Sequence, residues 1–92
     1  MIQFIVHGSK DAVGVAVTNI QPKQQAVGWN METDATLQLV AVEEVPLGHK
    51  IALRDVSAGE GVLKYNVQIG KAVTEIQVGQ HVHTHNLKTA RW

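Results

Sequence analysis

A six-residue pattern recurs four times in this chain: an acidic or amide residue, a β-branched residue, two variable residues, then Gly or Lys, then a polar residue. The copies are Asn19-Ile20-Gln21-Pro22-Lys23-Gln24, Glu44-Val45-Pro46-Leu47-Gly48-His49, Asp55-Val56-Ser57-Ala58-Gly59-Glu60 and Glu75-Ile76-Gln77-Val78-Gly79-Gln80. Each follows an apolar, strand-like run, and three carry Gly at the fifth place. Glycine removes the steric cost of a positive φ, so the copies read as tight turns, each with a buried Ile or Val that pins the strand before it. Pro46 at the third place and Pro22 at the fourth fit the fixed φ of such turns. The irregular spacing of the copies excludes a solenoid. The pattern describes a compact β-domain whose chain doubles back repeatedly.

Short alternating segments fill the intervals. Val13, Val15 and Val17 line one face of a strand, and Thr36, Gln38 and Val40 alternate with Leu37, Leu39 and Ala41. Ile51 and Leu53 oppose Ala52 and Arg54, and Val62-Leu63-Lys64-Tyr65 follows a glycine-rich turn. Short strands at such spacing predict an all-β fold with little helix. The one stretch that could hold a helical turn is 49–56, where the period still favours a strand. Hydrophobic residues make up 45% of the chain, but the aromatics are only Phe4, Trp29, Tyr65 and Trp92. The core must therefore come from Val, Ile, Leu and Ala, a mixture that favours strands. No linker, low-complexity segment or charge block divides residues 1–92, so a single domain is expected.

Charge and cysteine content narrow the function. Eight basic and eight acidic residues give a formal net charge of zero, with no run of Lys or Arg to neutralise a phosphate backbone. Nucleic acid is therefore not an expected partner. A neutral chain also lacks the self-repulsion that keeps proteins apart, which suits a subunit of something larger. The chain has no cysteine, so it offers no disulfide framework, thiol nucleophile or Fe–S ligands. The apolar run Ile2-Gln3-Phe4-Ile5-Val6 has no basic segment before it and is too short for a signal peptide or membrane span. No membrane partner and a cytoplasmic location are the expectations.

Three of the five histidines stand in His81-Val82-His83-Thr84-His85-Asn86. In a β-strand their spacing puts all three imidazoles on one face, with Val82 and Thr84 turned the other way. Neutral imidazoles near pH 7 can bind a divalent metal or move protons. At about 3.3 Å per residue His81 and His85 would lie roughly 13 Å apart, while metal–nitrogen bonds are about 2 Å. Adjacent members could share an ion, with His83 as the central one, but all three could not unless the strand bends. The alternative is an exposed edge strand whose solvent face happens to be rich in histidine.

Other candidates are scattered along the chain. Gly48-His49-Lys50 sets a histidine and a lysine directly after a turn glycine, where side chains project into open space. Lys64-Tyr65-Asn66 combines a cation, a phenol and an amide, a set suited to a carboxylate and hydroxyls. His7 lies in a polar loop and reads as structural or exposed, and Asp55 and Glu75 read as turn acceptors. The chain shows no triad spacing, no phosphate-cradling Gly loop and no HExxH, and its eight carboxylates are scattered along turns and loops instead of standing in pairs. With bases and cations but little volume to enclose a ligand, it reads as half of a site.

The run Val45-Pro46-Leu47-Gly48-His49-Lys50-Ile51-Ala52-Leu53-Arg54-Asp55-Val56, followed by Gly59-Glu60, Lys64-Tyr65, Ile69-Gly70-Lys71-Ala72 and Gly79-Gln80-His81-Val82-His83-Thr84-His85-Asn86, resembles the altronate/galactarate dehydratase family. The likeness is to that family's small SAF module, which has a β-clip fold, and it extends from Val6-His7 through Asn86. Two departures stand out: Asn66 replaces a Gly after Lys-Tyr, and Ala12 replaces an Asn in the early loop. In longer members the module is fused to a large catalytic region. A chain ending at Trp92 is similar to the small subunits of two-chain lyases, of altronate dehydratase or sulfolactate sulfo-lyase type.

The resemblance implies metal-assisted β-elimination from a small 2-hydroxy acid, performed with a large catalytic lyase subunit. It implies a divalent metal, iron, held in part or mainly by that partner. It also implies that the GHK turn and the terminal histidines face the active site. On that basis His49, Lys50 and His83 are the candidate catalytic residues, and Lys64, Tyr65 and Asn86 the candidate substrate-binding ones. The candidate metal ligands are His81, His83 and His85, not all on one ion. A non-catalytic β-clip module for carbohydrate binding or assembly is the competing reading. Convergence of His49, Lys50 and the terminal histidines separates the two.

Overall fold

The four turn copies organise the molecule. In the computed structural model, which describes residues 1–64, 67–83 and 85–89, the fifth-place residues all have positive φ: 67° at Lys23 and 86° at Gly48, Gly59 and Gly79. Each of these residues donates its N–H to the carbonyl of a buried alanine: Lys23 to Ala41, Gly48 to Ala16, Gly59 to Ala72 and Gly79 to Ala52, at 2.7–2.8 Å. Each sixth-place N–H closes the turn onto the third-place carbonyl. The second-place residues pair two by two in isolated bridges, Ile20 with Val45 and Val56 with Ile76. All four are at most 2% exposed, so the hydrophobic pins meet one another inside the core.

Among the described residues, nine short strands run between the turns: β1 Phe4–Val6, β2 Val13–Ala16, β3 Gln25–Asn30, β4 Ala35–Val40, β5 Lys50–Ala52, β6 Gly61–Lys64, β7 Val67–Ala72, β8 His81–Val82 and β9 Leu87–Thr89. They form a six-stranded sheet in the order β4-β3-β1-β2-β5-β8 and a three-stranded sheet in the order β6-β7-β9. Every pairing is antiparallel except β1 with β3. There is no helix among the described residues, so the all-β expectation holds, and 49–56 contributes strand β5 instead of a helical turn. Accordingly, no helix there is long and apolar enough to cross a membrane.

Two hydrophobic clusters lie on opposite faces of the six-stranded sheet. On one face Phe4, Val6, Ala16, Ala26 and Ile51 pack with Ile20, Ala41 and Val45, and Leu37, Leu39 and Leu53 lie against them. Gly14 and Gly28 flank Phe4, and a β-carbon at either position would collide with its ring. On the other face Val13, Ala52 and Val82 meet Val62, Ala72 and Leu87, so this second cluster holds the two sheets together. The alternation expected for 36–41 is present, with Thr36, Gln38 and Val40 exposed. Val17 departs from the expected valine face. Strand β2 ends at Ala16, and Val17 is 45% exposed.

Register then divides neighbouring residues between the faces. Lys50 pairs with Val15 and Val82, while Ile51 pairs with Gly14 and His81. Paired residues share a face and successive ones alternate. Ile51 and His81 therefore lie on the Phe4 side, and Lys50 on the side of Val82 and Ala52.

Candidate functional site

The histidine segment is a bent turn, not a continuous strand. Strand β8 ends at Val82. The N–H groups of Asn86 and Leu87 both donate to the His83 carbonyl, at 3.1 and 2.9 Å. Asn86 locks the bend with its side chain: Oδ1 accepts from the His83 N–H at 2.9 Å and Nδ2 donates to the His81 carbonyl at 2.8 Å. With 0% exposure and both polar side-chain atoms bonded to the backbone, Asn86 is part of the framework of the turn. The separation of roughly 13 Å expected for a straight strand gives way to ring centroids of His81 and His85 only 5.4 Å apart.

The bend gathers the imidazoles around His81. Its Nε2 lies 2.8 Å from Nδ1 of His49, so one nitrogen donates and the other accepts. Ring centroids are 5.0 Å apart for His49 and His81, 4.5 Å for His49 and His83, and 5.5 Å for His81 and His83. One nitrogen from each of His49, His81 and His83 falls within 4.8 Å of the others. The nitrogens that the fold brings together thus come from His49, His81 and His83, with His81 central, whereas the sequence spacing points to His81, His83 and His85. His85 stands beside His81 but outside the group of three nitrogens.

His81 is held from both sides by backbone contacts that do not involve its ring. Its N–H donates to Oε2 of Glu43 at 3.0 Å, and its carbonyl accepts from Asn86. Nothing in the sequence pattern marked Glu43 for this role. Burial pushes the His81 pKa below the ordinary imidazole value, and the neighbouring His49, His85 and His83 push it the same way; Glu43 partly offsets them. The shift favours the neutral ring, the form that binds a metal or accepts a proton.

Lys50 does not join this group, because it follows His49 onto the opposite face of β5. There it lies near Lys64, whose pKa is lowered first by burial and then by the Lys50 charge, with Asp11 acting in the opposite direction. His7 belongs to the same neighbourhood: burial and then Lys64 lower its pKa, and Asp11 raises it. His49 and the terminal histidines therefore lie together, while Lys50 turns to the other face of β5, near Lys64. Tyr65, the remaining candidate, is outside the described residues. A shallow depression lined by Asp55, Ser57, Glu75 and Gln77 lies between the third and fourth turns and contains none of these histidines.

Residues 2–90 match the family model for the altronate/galactarate dehydratase SAF domain. The (2R)-sulfolactate sulfo-lyase subunit alpha of Chromohalobacter salexigens is 48% identical over 92 residues, covering 99% of this chain and 98% of that one. The subunit of the same name from Paracoccus pantotrophus is 49% identical over 59 residues, covering 64% of this chain and 88% of its own. Altronate dehydratase of Escherichia coli K12 is 37% identical over 89 residues, which are 96% of this chain but 17% of the enzyme.

Proposed function

Because this chain belongs to the SAF-domain family of altronate and galactarate dehydratases and is a lyase subunit, we propose that it supplies half of an active site completed by a large catalytic subunit. The observation that carries the reading is the packing of His49, His81 and His83, three imidazoles drawn from two distant segments, into one partly exposed group. The proposed reaction is β-elimination from a small 2-hydroxy acid. A base removes the proton on carbon, the electron pair forms the carbon–carbon double bond, and the leaving group departs with the electrons of its own bond. Hydroxide departs as water after protonation, as in sugar-acid dehydration, whereas sulfite departs as an anion and needs less acid assistance. The enol that results tautomerises to the 2-keto acid.

The His49–His81 contact suits the proton steps. Two imidazoles at 2.8 Å can pass one proton between them, and the neutral hub can accept a proton near pH 7. The same set fits a divalent metal such as iron: three borderline nitrogen donors within 4.8 Å of one another, leaving further positions for the partner or the substrate. When bound, that ion supplies Lewis acidity toward the carboxylate and hydroxyl of the substrate. His83 is the exposed member of the group, the one most accessible to a partner.

The substrate class follows the same logic. Sulfolactate is favoured over a sugar acid by the near-complete coverage of a subunit named for it, against 17% of the dehydratase. Location in the cytoplasm, with the other enzymes of acid catabolism, completes the proposal. Turnover assays test it. The purified chain should convert neither sulfolactate nor altronate with ferrous iron, and mixing with the large subunit should restore conversion of sulfolactate. Turnover by the 92-residue chain alone would overturn the half-site.

A further inference from the structure

One hydrogen-bonding device recurs through the described residues, and it is missing where it would compete with the histidine group. In five turns the residue at place i+3 closes the backbone onto the carbonyl of residue i, and its side chain also accepts the N–H of residue i. The pairs are Gly8 with Asp11, Gln21 with Gln24, Ser57 with Glu60, Gln77 with Gln80 and His83 with Asn86, at 2.9–3.0 Å. The turn 46–49 has the same backbone closure, His49 N–H to the Pro46 carbonyl at 2.9 Å. Its first residue, however, is proline, which has no N–H to donate.

We propose that Pro46 is a positioning residue: by deleting that donor it leaves His49 Nδ1 available to His81. A histidine at this place could otherwise fill the capping role. Asp11 and Asn86 perform it with δ oxygens, and Nδ1 sits at the same remove from the backbone. In His49 that atom faces Nε2 of His81 instead. The other three copies of the turn keep a donor at the third place and an amide or carboxylate at the sixth. The second copy alone has exchanged both residues, the donor for proline and the acceptor for imidazole.

The inference rests on reading the histidine group as functional, but its test is separate. In Pro46→Ala, the new amide at position 46 should be protected from hydrogen exchange and show coupling to His49 Nδ1 by NMR. Zinc affinity of the full chain, measured by calorimetry with the metal alone, should fall about fivefold to tenfold as the cap competes for the ring. The variant pair His49→Gln and Pro46→Ala/His49→Gln provides a second reading. Restoring the donor beside Gln should raise Tm above that of His49→Gln. An unprotected amide at 46 together with unchanged zinc affinity would overturn the proposal, as would a double variant no more stable than His49→Gln. Loss of turnover in histidine variants, by contrast, bears only on the function of the group.

Discussion

Alanine at position 81 should lower kcat of the assembled two-chain lyase by about 100-fold or more, the loss expected when a general acid–base group is removed. The magnitude follows from the place of His81 at the centre of the group, within hydrogen-bonding distance of His49 and beside both His83 and His85. Folding should survive, because the segment is pinned through the His81 N–H and carbonyl by Glu43 and Asn86, not through the ring. His85→Ala should be mild, within about threefold, since His85 is exposed and outside the three-nitrogen group. Steady-state kinetics with saturating partner subunit, beside circular dichroism of each variant, checks both. Wild-type kcat in His81→Ala would remove the hub from the chemistry.

A large effect on stability is expected at Gly28. Its Cα lies against the Phe4 ring, and a β-carbon there would overlap three ring atoms. Phe4 cannot retreat, since Gly14 closes on it from the other neighbouring strand and the residue is 0% exposed. Gly28→Val should therefore cost at least about 3 kcal/mol, the upper part of the range for overpacked cores. For a domain of this size that is a fall in Tm of about 12 °C or more, a large share of the stability such domains possess. Thermal denaturation measures it. Combining Gly28→Ala with Phe4→Leu should be less damaging than the sum of the two single changes, because the smaller side chain makes room for the methyl group.

The parts of the fold legible in the sequence were those fixed by local chemistry. A positive φ selects glycine, so three of the four turns announced themselves, and the β-branched pins at Ile20, Val45, Val56 and Ile76 were readable as buried. Their pairing across the chain was not legible, because any two copies could have met. The candidate site was legible in composition but not in shape. Alternating histidines imply a strand only if the backbone is extended, and Asn86, three residues after His83, is an acceptor placed to bend it. The split between His49 and Lys50 depended on a register that only the pairing of β5 with β2 and β8 defines. In Pro46 the missing donor was visible, but its meaning came only from the capped turns around it.

The proposed half-site requires the histidine group to face the reacting substrate across the boundary with a partner subunit. A structure of the assembled enzyme holding a substrate analogue tests it most directly. Ring nitrogens of His49, His81 and His83 should lie within hydrogen-bonding or coordination distance, about 2–3.2 Å, of the analogue or of an ion bound to it. A complex in which these three rings face solvent, with the analogue enclosed wholly by the large subunit, would contradict it.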